Sequence, residues 1–180
     1  MTSVVSIRRL GLLLLCSLAV VVTPVRAATT IHVLISGLNC GGTYRFAPGA
    51  FDAMTFSFGA TNPNSSQASA GGRSDARAQF GDVVLVKAFD QCSPKLFGMV
   101  ASGQHVATVT IQWDRTSGDP LALMKITLEQ CIVKSVSYGA AQESVSFDWN
   151  RITFEYQITD EKGVPGAKVV ATWDRAAGHA

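Results

Sequence analysis

Charge is scarce in this chain: Asp, Glu, Lys and Arg make up 16% of its 180 residues. Histidine is scarcer, with His32, His105 and His179 on separate segments that no local pattern gathers. A catalytic histidine needs a positioned nucleophile and an orienting acid. No GxSxG, HExxH or phosphate-binding glycine loop is present to supply one. His105 follows a helix signal and reads as a turn histidine bonded to nearby backbone. Glu129, Glu143 and Glu155 are single carboxylates on different segments, expected to be solvated or paired with Lys and Arg. The four cysteines, Cys16, Cys40, Cys92 and Cys131, are spaced far too widely for a CxxC redox or zinc motif. These absences leave no catalytic residue, no cofactor site and no metal site to assign, and the chain reads as a non-enzyme.

Long apolar runs are also absent, with one exception at the start. Residues 1–27 carry Arg8 and Arg9, an uncharged apolar stretch from Leu10 to Val22, Pro24, and small residues at Val25 and Ala27. This is the layout of a secretory signal peptide, with an apolar core short for a bilayer span. Cys16 lies within that core, away from the position of a lipoprotein anchor. The expectation is an exported protein, periplasmic or secreted, whose residues 28–180 form one domain with a full-sized core. Fifteen basic residues less Arg8, Arg9 and Arg26 leave twelve, against thirteen acidic, a net charge of −1. That balance gives no electrostatic case for binding nucleic acid, or a membrane once the leader is gone. Three cysteines then remain, Cys40, Cys92 and Cys131. An odd number in an oxidising compartment allows at most one internal bridge, and the sequence leaves the pair open.

What fills the rest is β-type pattern. Ile31 to Ile35 is a short strand, and residues 39–48 form a Gly- and aromatic-rich loop. Residues 51–58 alternate, with Met54, Phe56 and Phe58 on one face and Ala53, Thr55 and Ser57 on the other. Residues 59–79 hold no apolar period and read as a long flexible loop containing a glycosylation sequon at Asn64-Ser65-Ser66. Asp82 to Phe89 is a buried-type strand. One helix is signalled at about residues 94–102. Ser93 is its cap, Pro94 its first position, Leu96, Phe97, Met99 and Val100 its apolar stripe, and Gly103 its left-handed end. Strands follow at Val106–Trp113, then a turn at Ser117-Gly118-Asp119, then a long segment from Leu121 to Val136. Ser144–Ile158 changes parity at Asn150: Val145, Phe147 and Trp149 precede the switch, and Ile152, Phe154, Tyr156 and Ile158 follow it. Such a switch marks a bulge, or a strand leaving one buried surface for another. A turn at 162–166 and a strand at Ala167–Trp173 complete the pattern, and the tail from Asp174 is expected to fray. Trp113, Trp149 and Trp173 read as core residues. The fold class is mainly β, a compact antiparallel barrel or sandwich flanked by one short α-helix.

The order of these elements resembles the haemolysin-coregulated protein family, Hcp, the tube protein of type VI secretion systems. The similarity is carried by several segments. A strand ending in Lys87, Phe89 and Asp90 leads into Ser93-Pro94 and Leu96. Ala101-Ser102-Gly103-Gln104-His105 then leads into ITLEQCIVKSVSYG. A glutamate-led strand ending in Glu155-Tyr156 comes last. The resemblance implies a small barrel that forms hexameric rings stacked into a tube. Its expected partners are copies of itself, secretion-apparatus proteins and effectors. The leader distinguishes this chain from family members loaded from the cytoplasm. It leaves a second expectation, an exported monomeric binding module that reuses the fold.

Overall fold

The computed structural model describes residues 29–45, 47–62, 78–115 and 121–178. The leader at 1–27 with its Cys16, the sequon at Asn64, the turn at Ser117–Asp119 and His179 lie outside them. The described chain runs through β1 (Thr29–Ile35), β2 (Phe51–Ala53), β3 (Thr55–Ser57), β4 (Ala60–Thr61) and β5 (Gln79–Phe80). It continues through β6 (Val83–Ala88), α1 (Ser93–Ser102), β7 (His105–Arg115) and β8 (Leu121–Tyr138). β9 (Gln142–Asp148), β10 (Arg151–Thr159) and β11 (Pro165–Asp174) end it. The structure is mostly strand, with a single short helix among the described residues.

The ladder is antiparallel, in the order β2-β1-β7-β8-β9-β6-β3. Its two ends are consecutive pieces of one segment: β2 pairs with β1, β3 pairs with β6, and only Met54 separates them. The Met54 N–H donates to the Val86 carbonyl at 2.7 Å. The sheet therefore returns to its start and closes as a barrel, which removes the edges an open sheet would expose. Period-two alternation fills the interior. Val33 and Ile35 of β1, Val109 and Ile111 of β7, Ile126 and Leu128 of β8, Val83 and Leu85 of β6, and Val145 and Phe147 of β9 are all buried.

The bend at Met54 corrects the alternation read from the sequence. Phe51 and Ala53 are buried before it, while Phe56 and Phe58 pack on the core after it, and Met54 is exposed. The chain changes ladder partner at that residue and its inward parity slips by one. The expected loop at 59–79 carries strand residues at both ends, and residues 63–77 lie outside the described residues. β4 and β5 pair with each other, Ala60 opposite Phe80 and Thr61 opposite Gln79.

The parity switch at Asn150 is a change of neighbour. β9 pairs with the far half of β8, where Ile132 faces Asp148. β10 pairs with the near half, where Arg151 faces Glu129. Between them Gln130 adopts φ 53, and its Oε1 accepts a hydrogen bond from Asn150 Nδ2 at 3.0 Å. The long β8 thus carries two successive partners on one side, and the chain steps from one to the other across Trp149-Asn150. Beyond the barrel, β10 and β11 continue as a hairpin in which β11 pairs with β10 alone among the described residues.

α1 packs against β8 and adds Leu96 and Met99 to the core. It ends at Gly103, whose φ of 64 lets Gln104 donate back to the Met99 carbonyl. Its start differs from the expected Ser93 cap. Cys92 occupies the cap position without a side-chain hydrogen bond, and Ser93 is already helical. The Ser93 hydroxyl is instead directed to Glu143, 2.8 Å away. A carboxylate fifty residues on outcompetes the local capping bond.

Candidate functional site

Three regions of the described surface and interior carry polar or apolar groups that folding alone leaves unusual. The first is a buried charge cluster where β6 runs into α1. Lys87 and Glu143 are both 0% exposed, and Lys87 Nζ lies 2.7 Å from Glu143 Oε1. Nζ also lies 2.8 Å from Asp90 Oδ1 and donates to the Ala88 carbonyl. Asp90 Oδ1 accepts the Cys92 N–H, and the Asp90 N–H donates to Ser93 Oγ. Two opposite charges on neighbouring strands β6 and β9, opposite each other in the ladder, are thus joined to the helix entrance. Of the two expectations for Glu143, solvation is ruled out and pairing is what occurs. The Lys87–Glu143 pair lies out of solvent and links β6 and β9 to Asp90 and Ser93 at the entrance to α1.

The second region is a groove of about 460 Å³ beside that connection. One wall is formed by the loop after β1, including Cys40, Gly41 and Tyr44, and the other by Ala88, Phe89 and Asp90. His32 and the largely exposed Asp52 also line it. The His32 ring stacks on Tyr44 at 3.8 Å, with Nδ1 2.6 Å from Asp52 Oδ1 and Nε2 3.5 Å from Asp114 Oδ2. Gln112 Nε2 donates to Asp114 Oδ1 at 2.9 Å and to the Tyr44 hydroxyl at 3.2 Å. Burial first, and then the Asp114 carboxylate, push the Tyr44 phenol well above its ordinary range, so it stays protonated. The structure joins Cys40 to Cys92 by a disulfide, with Cα atoms 5.0 Å apart, across the end of this groove. Cys131 is a free thiol buried in β8, pushed up to about 12 mainly by burial.

The third region is the β10–β11 hairpin. Ile152, Phe154 and Tyr156 of β10 face Trp173, Ala171 and Val169 of β11 in register. At its inner end this face belongs to the core: Ile152 is 2% exposed, and Phe154 and Trp173 pack against the buried cluster. At its outer end the same face is uncovered, with Tyr156 53%, Val169 56% and Ile158 44% exposed. On the opposite face Glu155 lies between Lys125 and Lys168, across from Val170, which is also exposed. The apolar face thus starts in the core and runs out into solvent.

The remaining residues singled out from sequence stand apart from one another. His105 is exposed at the first position of β7. Glu129 lies 3.6 Å from Arg151. Trp149 is buried, with the Arg175 guanidinium 3.9 Å over its ring, while Trp113 and Trp173 are half-buried against the core. Among the described residues, no group of three or more His, Cys, Asp or Glu is gathered to hold a metal ion. No helix of the described residues is long and apolar enough to cross a membrane.

The fold defines the class: a small closed antiparallel β-barrel with one flanking helix and a projecting two-stranded hairpin. A family model described as "Type VI secretion system effector, Hcp" matches residues 45–156, more than half of the chain, and the chain belongs to that family. It is a family of type VI secretion tube-like structural proteins and not an enzyme family. A relative from Pseudomonas aeruginosa called "Major exported protein" is 28% identical over 95 residues, 45% of this chain and 55% of that protein. The match thus spans about half of that relative's length. A solved "type six secretion system protein" superposes with a TM-score of 0.78 at 21% identity, covering 84% of this chain and 98% of that one. Hcp1 from Salmonella typhimurium gives 0.68 at 19% identity, with 84% and 98% covered. The secreted protein Hcp3 from Pseudomonas aeruginosa gives 0.58 at 23%, with 82% and 98% covered. At these identities the superpositions establish the shared fold.

Proposed function

We propose that the chain is an exported, non-catalytic subunit that assembles with copies of itself into rings of the type VI secretion tube kind. Residues 1–27 act as a leader that is removed, and residues 28–180 form the assembling domain. The observation that carries this reading is the apolar face of β10–β11, which leaves the core at Ile152 and emerges uncovered at Tyr156, Ile158 and Val169. Among the described residues β11 also has one free edge, so a neighbour can both cover the face and meet unpaired backbone groups. A contact between that hairpin and a different patch of the next copy is heterologous, and it closes into a ring when the rotation allows. The family's tube architecture supports six copies. Carriage of secreted effector proteins in the ring lumen belongs to the same reading.

The test is Val169→Asp. Val169 is exposed in the protomer, so the variant should fold with an unchanged far-ultraviolet dichroism spectrum. Placed in an assembly contact, the charge should shift the protein from a multimer to a protomer by light scattering. A multimer that survives the substitution unchanged argues against this face.

The groove beside His32 favours a second reading, an exported monomeric binding module. Its polar and aromatic lining is concave and remains accessible without any assembly. A protein that stays monomeric at millimolar concentration supports the module.

A further inference from the structure

The Asn39–Gly41 stretch of the loop after β1 is held to residues 91–95, while Ser36 is tied to Thr108 and Tyr44 is held separately by His32 and Gln112. Gln91 Nε2 donates to the Cys40 carbonyl, Lys95 Nζ donates to the Asn39 carbonyl at 2.6 Å, and Cys92 is bonded to Cys40. The loop sits so close there that a Cβ on Gly41, whose φ is +74, would lie 1.5 Å from Gln91 Nε2. Within the loop, the Cys40 N–H donates to the Gly49 carbonyl and the Gly49 N–H to the Gly42 carbonyl, both at 2.8 Å.

The polar ties involve part-buried or exposed groups, which water competes for, and each contributes little by itself. The sulfur bond is different. Cys40 is 6% exposed and Cys92 0%, and both belong to the buried core cluster. The bond joins positions 52 residues apart, so it ties the loop to the helix entrance over a long chain separation. It sits next to the Lys87–Asp90–Ser93 cluster, whose Asp90 carboxylate accepts the Cys92 amide. Cys131 offers no competing thiolate, because burial keeps its sulfur protonated.

We propose that Cys40 and Cys92 form a one-way oxidative latch: oxidation docks the loop after β1 onto the start of α1, and docking then shields the bond from reductants. In closing, the two thiols lose two protons and two electrons and the Sγ–Sγ bond forms. A disulfide oxidant such as glutathione disulfide takes up the electrons and protons and leaves as two thiols. Reopening requires a thiolate to reach a sulfur in line with the bond, and the docked loop denies that approach. The Cys40–Gly41 part of the groove wall is therefore completed only in an oxidising environment, while Tyr44 keeps its contacts with His32 and Gln112 in either state. The latch stands whether or not rings form, because none of its atoms belong to the β10–β11 face.

Two forms of the whole chain lacking residues 1–27 test this, one refolded with glutathione disulfide and one refolded in dithiothreitol. Thiol titration in denaturant should count one free cysteine in the first and three in the second. Hydrogen exchange read by mass spectrometry should show the amides of Cys40, Gly41 and Gly49 at least about tenfold faster in the dithiol form. The β7 and β8 amides should exchange alike in both. The oxidised folded protein should also keep its bond in dithiothreitol until denaturant is added. Equal loop exchange in the two forms overturns the latch. So does acceleration throughout the ladder, or failure of the dithiol form to fold, since either makes the bond a staple of the whole fold. Rapid reduction of the folded protein overturns its one-way character. The double variant Cys40→Ser with Cys92→Ser should match the dithiol form, which separates loss of the bond from side effects of the reductant.

Discussion

Lys87 and Glu143 face each other in the ladder with no access to water, each the other's main compensation, with Asp90 and Ser93 adding to the pair. Glu143→Ala leaves a buried ammonium with Asp90 as its remaining charged partner. It should cost about 3–5 kcal/mol in a urea titration, as expected when one member of a buried pair is removed. Replacing both, with Lys87→Met and Glu143→Leu, should recover most of that loss, and a double variant no better than the single would contradict the pairing. The surface carboxylates act differently. The Lys125 hydrogen bond holds Glu155 below its ordinary 4.5. Burial works against Asp148, but the Arg175 hydrogen bond and the Trp149 amide outweigh it and hold the carboxyl below 3.8. The Ala177 amide and then Arg151 do the same for Asp174. Folded values below unfolded ones mean stability that is complete above about pH 4.5 and declines as pH falls through the folded values. Thermal midpoints should thus be level from pH 7 to 5 and drop below 4. A midpoint that stays level down to pH 3 would show that these contacts are not formed in solution.

At the scale of elements, the step from β9 to β10 depends on Trp149. Its ring is buried, meets Phe58 and Phe80 at their edges, and lies under Arg175. Trp149→Ala should destabilise the fold by about 3–5 kcal/mol in chemical denaturation, from lost burial and the cavity left behind. A loss below 1 kcal/mol would mean that Phe58 and Phe80 close the gap. How far the elements can be read from sequence follows from whether their signals are local. Pro94, the Leu96–Val100 stripe and Gly103 are neighbours in sequence, and the helix they mark is present with its end correctly placed. The parity change at Asn150 is local too, and it falls where β8 exchanges partners. The slip at Met54 leaves no such trace, because Phe56 and Phe58 alternate properly with it and only the choice of ladder decides that Met54 points out. The Ser93 cap fails for the same reason: its competitor, Glu143, is distant in sequence. The groove has no local signal either. His32, Tyr44, Asp52 and Asp114 come from four segments, and no spacing announces that they meet. The hairpin face is half legible. The run Ile152, Phe154, Tyr156, Ile158 shows an apolar face, but its exposure depends on where the barrel ends.

For the whole molecule, closure of the ladder uses up the edges of the barrel, and β11 keeps a free one outside it among the described residues. The apolar face of that same hairpin is uncovered at its outer end, and Phe89, Phe97 and Tyr138 are exposed elsewhere on the described surface. The barrel encloses the core and the buried Lys87–Glu143 pair, and the hairpin continues beyond it. In the proposed ring each copy would cover the previous one's Tyr156 and Val169. The most direct measurement is the absolute mass, by light scattering, of the oxidised chain beginning at residue 28. The account predicts a particle of six protomers, reduced to one by Val169→Asp. A single-protomer mass that persists at high concentration would contradict it.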